Sequence, residues 1–412
     1  MDSPQNGPVV ACLATLDTKS QEAGFLANQI RECGLRPRLI DVGVVGEARI
    51  AADHDRASVA AAGGRSLEDL LKAPTREAAG PVMAAGASRI LAALLAKGEV
   101  QAVVGLGGTQ GTSLACEVMR SLPYGFPKIM VSTVASGDTA PFVGIKDITM
   151  MFTVSDLLGL NPLTRMVLAN AAAAACGMAR RSATLAFDAA KPVVAITNLG
   201  VLTEGAMQAR ALLEDAGFEV IVFHAVGSGG RAMEQMMKDG MVTGVLDYAL
   251  GEISDELFGG LRAGGPERLT VAAGLGLPQV IVPGGAEHLG IFVSEPNSVP
   301  DRFRDHAHVF HSPVIFVPRL KGDELTRVAK EIGRRLAGSQ GATSVFLPEG
   351  GTSRYAISGG ALHDPDADRQ FFAALEEALP ATIEVRRLPH AAEDPEFVAQ
   401  AVARLIAMIK AR

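Results

Sequence analysis

Two stretches of this chain gather the residue types that hold phosphate groups. Thr15-Leu16-Asp17-Thr18-Lys19 brings two hydroxyls, a carboxylate and an ammonium together. Gly105-Leu106-Gly107-Gly108-Thr109-Gln110-Gly111-Thr112-Ser113 brings glycines, then hydroxyls where a helix would start. Glycine lets a backbone approach a ligand closely, and the first amides of a helix are free to bind an anion. Thr112 and Ser113 could donate to phosphate oxygens or hold Mg²⁺. Asp41-Val42-Gly43 and Ser132-Thr133-Val134-Ala135-Ser136-Gly137-Asp138-Thr139 add carboxylates and hydroxyls. The cofactor-binding candidates are therefore Asp17, Thr18, Lys19, Asp41, Gly107, Gly108, Gly111, Thr112, Ser113, Thr133, Ser136, Gly137 and Asp138. No lysine follows Gly111, so this is not a Walker A loop, and the dinucleotide fingerprint does not fit cleanly either. A tight strand-to-helix turn is the structural alternative for the glycine loop, and an exposed lysine is the alternative for Lys19.

A second constellation lies further on. His224 precedes Ala225-Val226-Gly227-Ser228-Gly229-Gly230-Arg231, and Asp247, Glu252 and Glu287-His288 follow. Arg231 has the planar fork that takes two oxygens of a carboxylate or phosphate. With Gly227, Gly229 and Gly230 it forms a candidate site for a small anionic substrate. His224, Asp247, Glu252 and His288 are candidates for acid–base chemistry or metal ligation, with a structural role open for each. His306, His308 and His311 stand at a spacing that fits no standard zinc site, with no cysteine near; a solvated loop is expected there. No metal site is assigned.

The elements that must position these residues appear twice. Pro8-Val9-Val10-Ala11 reappears as Pro192-Val193-Val194-Ala195, and Val42-Gly43 with Gly46 falls opposite Val226-Gly227 with Gly230. Short apolar runs mark strands at 9–14, 38–42, 102–106, 128–133 and 148–155 in the first half. In the second they lie at 193–197, 219–223, 242–246, 279–282, 314–317 and 344–347. Runs without alternation suit strands covered on both faces. Helices are expected at 20–33, 161–178 and 395–410, and a helix start at Asp364. Residues 51–80 have no counterpart in the second half and read as an insertion or a lobe near the site. The fold class is α/β: two Rossmann-like, doubly wound parallel-sheet subdomains related by internal duplication. Their expected bounds are 1–185 and 186–412, joined by a linker at 181–191. Candidate loops then leave the carboxyl ends of the strands, where such sheets bind ligands.

Composition narrows the function. The 412 residues are 48% hydrophobic and 20% charged, enough for large cores. A formal charge of −7 argues against a nucleic-acid or anionic-membrane partner, both of which need a basic face. Cys12, Cys33, Cys116 and Cys176 have no metal spacing and read as buried free thiols of a reducing compartment. The first residues lack the regions of a signal peptide, and the apolar run at 166–179 is too short to span a bilayer. The expectation is a soluble cytoplasmic protein.

Taken in order, these loops resemble the Tm-1-like ATP-binding family, also called UPF0261. Leu168-Ala169-Asn170-Ala171, the 223–234 segment and Gly265-Pro266-Glu267-Arg268-Leu269 belong to the same resemblance, which runs over nearly the whole chain. It implies two Rossmann-like subdomains, ATP binding in the first and a homo-oligomer, a dimer being favoured. The chain departs from the family pattern at Asp247–Glu252 and at Glu287-His288-Leu289-Gly290, so the first half carries the resemblance better. The expected function is binding of ATP, with Mg²⁺, extending to an ATP-dependent enzyme acting on a small anionic metabolite. The alternatives are a nucleotide-sensing or interaction module without turnover, and an ATP-independent lyase, isomerase or hydrolase using the second half.

Overall fold

The computed structural model describes residues 7–72, 75–181 and 191–412. The chain divides into two compact units, residues 1–186 and 187–412. The expected boundary at 185/186, most of the 181–191 linker and the first six residues lie outside the described residues.

In the first unit β1 (Val9–Ala14), β2 (Arg36–Asp41), β3 (Ala102–Gly107), β4 (Lys128–Ser132) and β5 (Thr149–Phe152) form one parallel sheet of order β2-β1-β3-β4-β5. The apolar run of β1 is divided by the two-residue period of a strand. Val10, Cys12 and Ala14 join a core with α1 (Leu16–Glu32) and α7 (Pro162–Arg180). Ala11 and Leu13 join the opposite core with α4 (Arg76–Ala96) and α5 (Thr109–Arg120). Both faces of β1 are thus covered, which is why its sequence does not alternate. α2 (Arg56–Ala62), α3 (Leu67–Lys72) and the start of α4 make up the expected insertion, and α6 (Ala140–Val143) is one short turn. The α4 stretch Glu77–Ala96 is long and apolar enough to cross a membrane. Here Met83, Ala87 and Leu91 are buried in the unit's core.

The second unit has a six-stranded parallel sheet, β14-β13-β9-β8-β6-β7. Its strands are β6 (Val193–Asn198), β7 (Glu219–His224), β8 (Gly244–Ala249), β9 (Gln279–Gly284), β13 (Thr343–Pro348) and β14 (Glu384–Leu388). One face packs on α8 (Thr203–Asp215) and α14 (Pro395–Lys410), the other on α12 (Gly322–Leu336) and α13 (Pro365–Ala378). α9 (Ser228–Lys238), α10 (Gly251–Phe258) and α11 (Val271–Leu275) complete the helices. In both units the first four strands take the order 2-1-3-4, so the winding reverses between the first strand and the third. That reversal leaves a crevice at the carboxyl ends of those two strands.

The second unit departs from expectation in three places. The 314–317 run is not a strand of the parallel sheet. It becomes β12 (Ile315–Pro318), paired antiparallel with β10 (Ile291–Phe292) and β11 (His308–Ser312). The histidine segment is likewise no solvated loop: His308 begins β11, and His306 is tucked under Phe303 with its Nε2 3.0 Å from Glu324. Among the described residues no group of three or more His, Cys, Asp or Glu side chains is placed to hold a metal ion. The polar strand β14 has no apolar run to announce it; at the sheet edge Glu384 meets Arg386, Arg404 and Ser344 instead. Cys12, Cys116 and Cys176 are buried free thiols, and Cys33 is half-buried.

Candidate functional site

The switch point of the first unit opens into a cleft of about 470 Å³. Four segments line it: the first turn of α1, the 42–45 loop after β2, the start of α4, and the 107–111 turn into α5. The Thr15–Lys19 segment is not a loop as expected. Helix α1 starts at Leu16, because Asp41 on neighbouring β2 accepts a hydrogen bond from the Leu16 amide at 3.0 Å. The same carboxylate oxygen accepts from Gly43 at 2.9 Å. Asp41 is thus a buried clamp between two cleft segments rather than a group facing a ligand. Burial raises its carboxyl above the ordinary value, and the two amides partly oppose the rise.

Asp17 faces the cleft, and its Oδ2 accepts from the Gly46 amide at 3.3 Å. A methyl on Gly46 would stand 2.8 Å from the Asp17 Cβ, so this approach requires glycine. Thr18 lines the cleft, its hydroxyl 2.9 Å from that of Thr15. Lys19 also lines it, and its ammonium donates one hydrogen bond to the Leu157 carbonyl.

The 107–111 turn supplies the anion-binding feature. Gly107 ends β3, Gly108 caps α5 without a side-chain bond, and the 12-residue helix begins at Thr109. The amides of Thr109, Gln110 and Gly111 have no intrahelical acceptor by position. A Cβ on Gly107 would lie 2.8 Å from the Gly111 Cα, so strand and helix meet this tightly only through glycine. Thr112 is turned inward: its buried hydroxyl is 2.7 Å from Ser132 Oγ, away from any ligand. Ser113 donates back to the Thr109 carbonyl at 3.0 Å, an intrahelical bond. Thr133 sits beside Gly108 and donates its amide to Gly107. Ser136, Gly137 and Asp138 do not line the cleft, and Asp138 accepts from the Ala140 amide at 3.0 Å. The opposite wall is apolar, from Val42, Val44, Ala79 and Met83. The 51–80 insertion is part of that wall, through Thr75, Ala79 and Gly80. Sequence reading had flagged the lobe without naming these residues.

In the second unit the glycine loop is already occupied from within. Glu252 Oε1 accepts from the Gly227 and Gly230 amides at 2.6 and 3.1 Å, filling the N-terminus of α9 with an internal carboxylate. Room is lacking as well: a Cβ on Gly230 would fall 2.1 Å from Glu252, and one on Gly229 would fall 1.9 Å from the His224 carbonyl. Arg231 turns its Nε to the Gly227 carbonyl at 3.1 Å. The Gly227–Arg231 segment is therefore a structural turn, contrary to its expected role as a substrate cradle.

The candidate acid–base residues do not form one site. Asp247 and Glu252 are buried around Arg268, a residue that sequence reading placed in a motif but gave no role. Arg268 donates to Glu252 Oε2 at 2.6 Å and to both Asp247 oxygens at 2.5 and 2.6 Å. Thr197 also donates to Asp247, at 2.8 Å. Glu234 completes the cluster, taking the Leu269 and Val271 amides and lying 3.3 Å from Arg268. Burial lifts the Glu234 carboxyl to about 7 against the pull of Arg268. Such a saturated, buried network holds structure together and leaves no oxygen to take a substrate proton. His224 is exposed at the end of β7. His288 belongs to a separate buried group: its Nδ1 is 2.9 Å from Glu287, its Nε2 3.3 Å from Arg262, and Arg262 forks onto Asp255 at 2.9 Å. Arginine only donates, so Nε2 accepts and the ring hydrogen sits on Nδ1.

Residues 8–184 match the N-terminal domain, and residues 191–409 the C-terminal domain, of the family described as Uncharacterised protein family (UPF0261). A UPF0261 protein of Clostridium tetani is 38% identical over 402 residues, which are 97% of this chain and 99% of that one. Another, of Mesorhizobium japonicum, is 38% identical over 396 residues, 96% and 97% of the two chains. The ToMV resistance protein Tm-1(GCR237) of Solanum lycopersicum is 30% identical over 415 residues, covering 95% of this chain and 54% of the tomato protein. This chain belongs to the UPF0261 family.

Proposed function

We propose that this member of the UPF0261 family binds ATP in the cleft of its first unit, with the phosphates on the N-terminus of α5. The observation that carries the reading is the uncapped first turn of α5, opening at the switch point of a parallel sheet. A cleft of about 470 Å³ is in the range of nucleotide-sized sites. Its apolar wall suits the base, and its hydroxyl and amide edge suits the phosphates.

The charges add a condition. The positive charge of Lys19 is offset by the negative charge of Asp17, so together these two lining residues do little to neutralise a triphosphate. Asp17 Oδ1 takes only a long 3.4 Å bond from the Thr18 hydroxyl, with Thr15 beside it, an oxygen donor set of the kind hard divalent cations take. A Mg²⁺ there would offset the phosphate charge. Asp17 would hold it, Gly46 would orient Asp17, and Asp41 would keep the two loops together.

Thermal unfolding with and without Mg·ATP tests the reading. A ligand at one hundred times its Kd stabilises by about 2.7 kcal/mol. The rise should vanish in Gly111→Asp, which places a carboxylate at the phosphate position; the nearest atom to a new Cβ there is the Leu106 carbonyl oxygen at 3.5 Å, so the fold has room for the substitution. An unchanged melting temperature at millimolar Mg·ATP would end the proposal.

A further inference from the structure

The carboxyl ends of β9 and β13 hold a second set of polar groups that the nucleotide cleft does not use. Glu287, Arg319 and Thr352 are all at least nine-tenths buried. Each has a side-chain atom with no protein partner: Glu287 Oε2, Arg319 Nε and Thr352 Oγ1. Their segments are in contact. The Leu320 amide donates to the Glu287 carbonyl at 2.8 Å, His288 and Arg319 form a β-bridge, and the Gly285 amide donates to the Thr352 carbonyl at 3.1 Å.

The other Glu287 oxygen and the terminal nitrogens of Arg319 have partners within the chain. Glu287 Oε1 takes the Ser353 hydroxyl and His288 Nδ1 at 2.9 Å. Arg319 donates through its terminal nitrogens to the Leu362 and Asp364 carbonyls at 2.6 and 3.1 Å and to Asp368 at 2.7 Å. Burial would raise the Glu287 carboxyl, but His288, Ser353 and Arg319 together hold it near 2, so it is ionised at neutral pH. Arg319 therefore acts on Glu287 through space, while no direct ion pair within 4.0 Å joins these two described residues. Two buried opposite charges, each with an idle atom, stand near one another without pairing directly.

The chemistry of the two idle atoms selects a partner that could serve both. An anion would be repelled by Glu287 and a cation by Arg319. A group that only accepts leaves Glu287 unmet, and one that only donates leaves Arg319 unmet. A hydroxyl does both. We propose that the segments following β9, β12 and β13 enclose a binding site for one small hydroxylated ligand, whose hydroxyl donates to Glu287 Oε2 and accepts from Arg319 Nε, with the Thr352 hydroxyl beside it. The same chemistry is offered by a resident water and by the hydroxyl of a small neutral organic molecule.

A crystal structure that resolves ordered water, from crystals grown without polyols or hydroxy acids, tests this. It should be paired with mass spectrometry of what the protein releases on denaturation. The expected result is density for an oxygen roughly 2.6–3.2 Å from both Glu287 Oε2 and Arg319 Nε. A lone oxygen with nothing released assigns the site to water. Density continuing into carbon, with a hydroxylated compound released, assigns it to an organic ligand. Direct contact between Glu287 and Arg319, or protein partners for both idle atoms with no density between them, would overturn the proposal.

Discussion

Replacing Glu252 by alanine separates a structural carboxylate from a catalytic one. The side chain accepts from Gly227, Gly230 and Arg268 at 2.6, 3.1 and 2.6 Å, and all three donors are buried. Each orphaned buried donor costs about 1–3 kcal/mol. Breaking one side of a buried ion pair costs about 3–5 kcal/mol. These figures overlap, because Arg268 keeps Asp247 and Glu234; a loss of about 4 kcal/mol is a fair central value. For a unit of this size each kcal/mol moves the midpoint by about 2–4 °C, so its transition should fall by roughly 8–16 °C. Glu252→Gln, which keeps an oxygen for the glycine amides but presents N–H groups to Arg268, should fall in between. Differential scanning calorimetry reads both. A loss below about 1 kcal/mol, or full stability combined with loss of a chemical activity, would refute the structural assignment.

Three further outcomes follow from the same geometry. Gly46→Ala pushes a methyl against Asp17, and affinity for Mg·ATP by titration calorimetry should fall about tenfold, ~1.4 kcal/mol; unchanged affinity would remove Asp17 from the site. Thr112→Val, which loses internal bonds to Ser132 and to the Gly107 carbonyl, should cost about 1 kcal/mol of stability and leave ATP affinity alone. Burial lifts Asp368 to about 6 against the pull of Arg319, whereas an unfolded aspartate titrates near 4. Protonation is thus favoured in the fold, and the stability it contributes is present below pH ~4 and lost as pH climbs through ~6. Urea unfolding across that window should show wild type losing up to about 3 kcal/mol relative to Asp368→Asn.

What could be read from the residues differs between fold and site for physical reasons. Strands such as Val9–Ala14 and helices such as Pro395–Lys410 write their burial into a local run, so element type and the parallel sheets were legible. Edge strand β14 and the β10–β12 sheet were not, since short or polar strands take their identity from neighbours distant in sequence. In the cleft of the first unit, Gly107–Gly111 and Asp17 were legible as lining residues because the turn from strand to helix is written locally in glycines. The inward turn of Thr112 and the tie from Lys19 to Leu157 depend on partners 20 and 138 residues away. The second half misled for the same reason. A glycine loop that binds an anion looks alike in sequence whether the anion is a ligand or the chain's own Glu252.

The two halves share a scaffold, and on the proposed reading only the first leaves its helix N-terminus open for a nucleotide. Amide hydrogen exchange with and without millimolar Mg·ATP tests this most directly. Added protection is expected at Thr109, Gln110 and Gly111 and in the Thr15–Thr18 turn, with Gly227–Arg231 unchanged. Protection at Gly227–Arg231, or none at the start of α5, would contradict it.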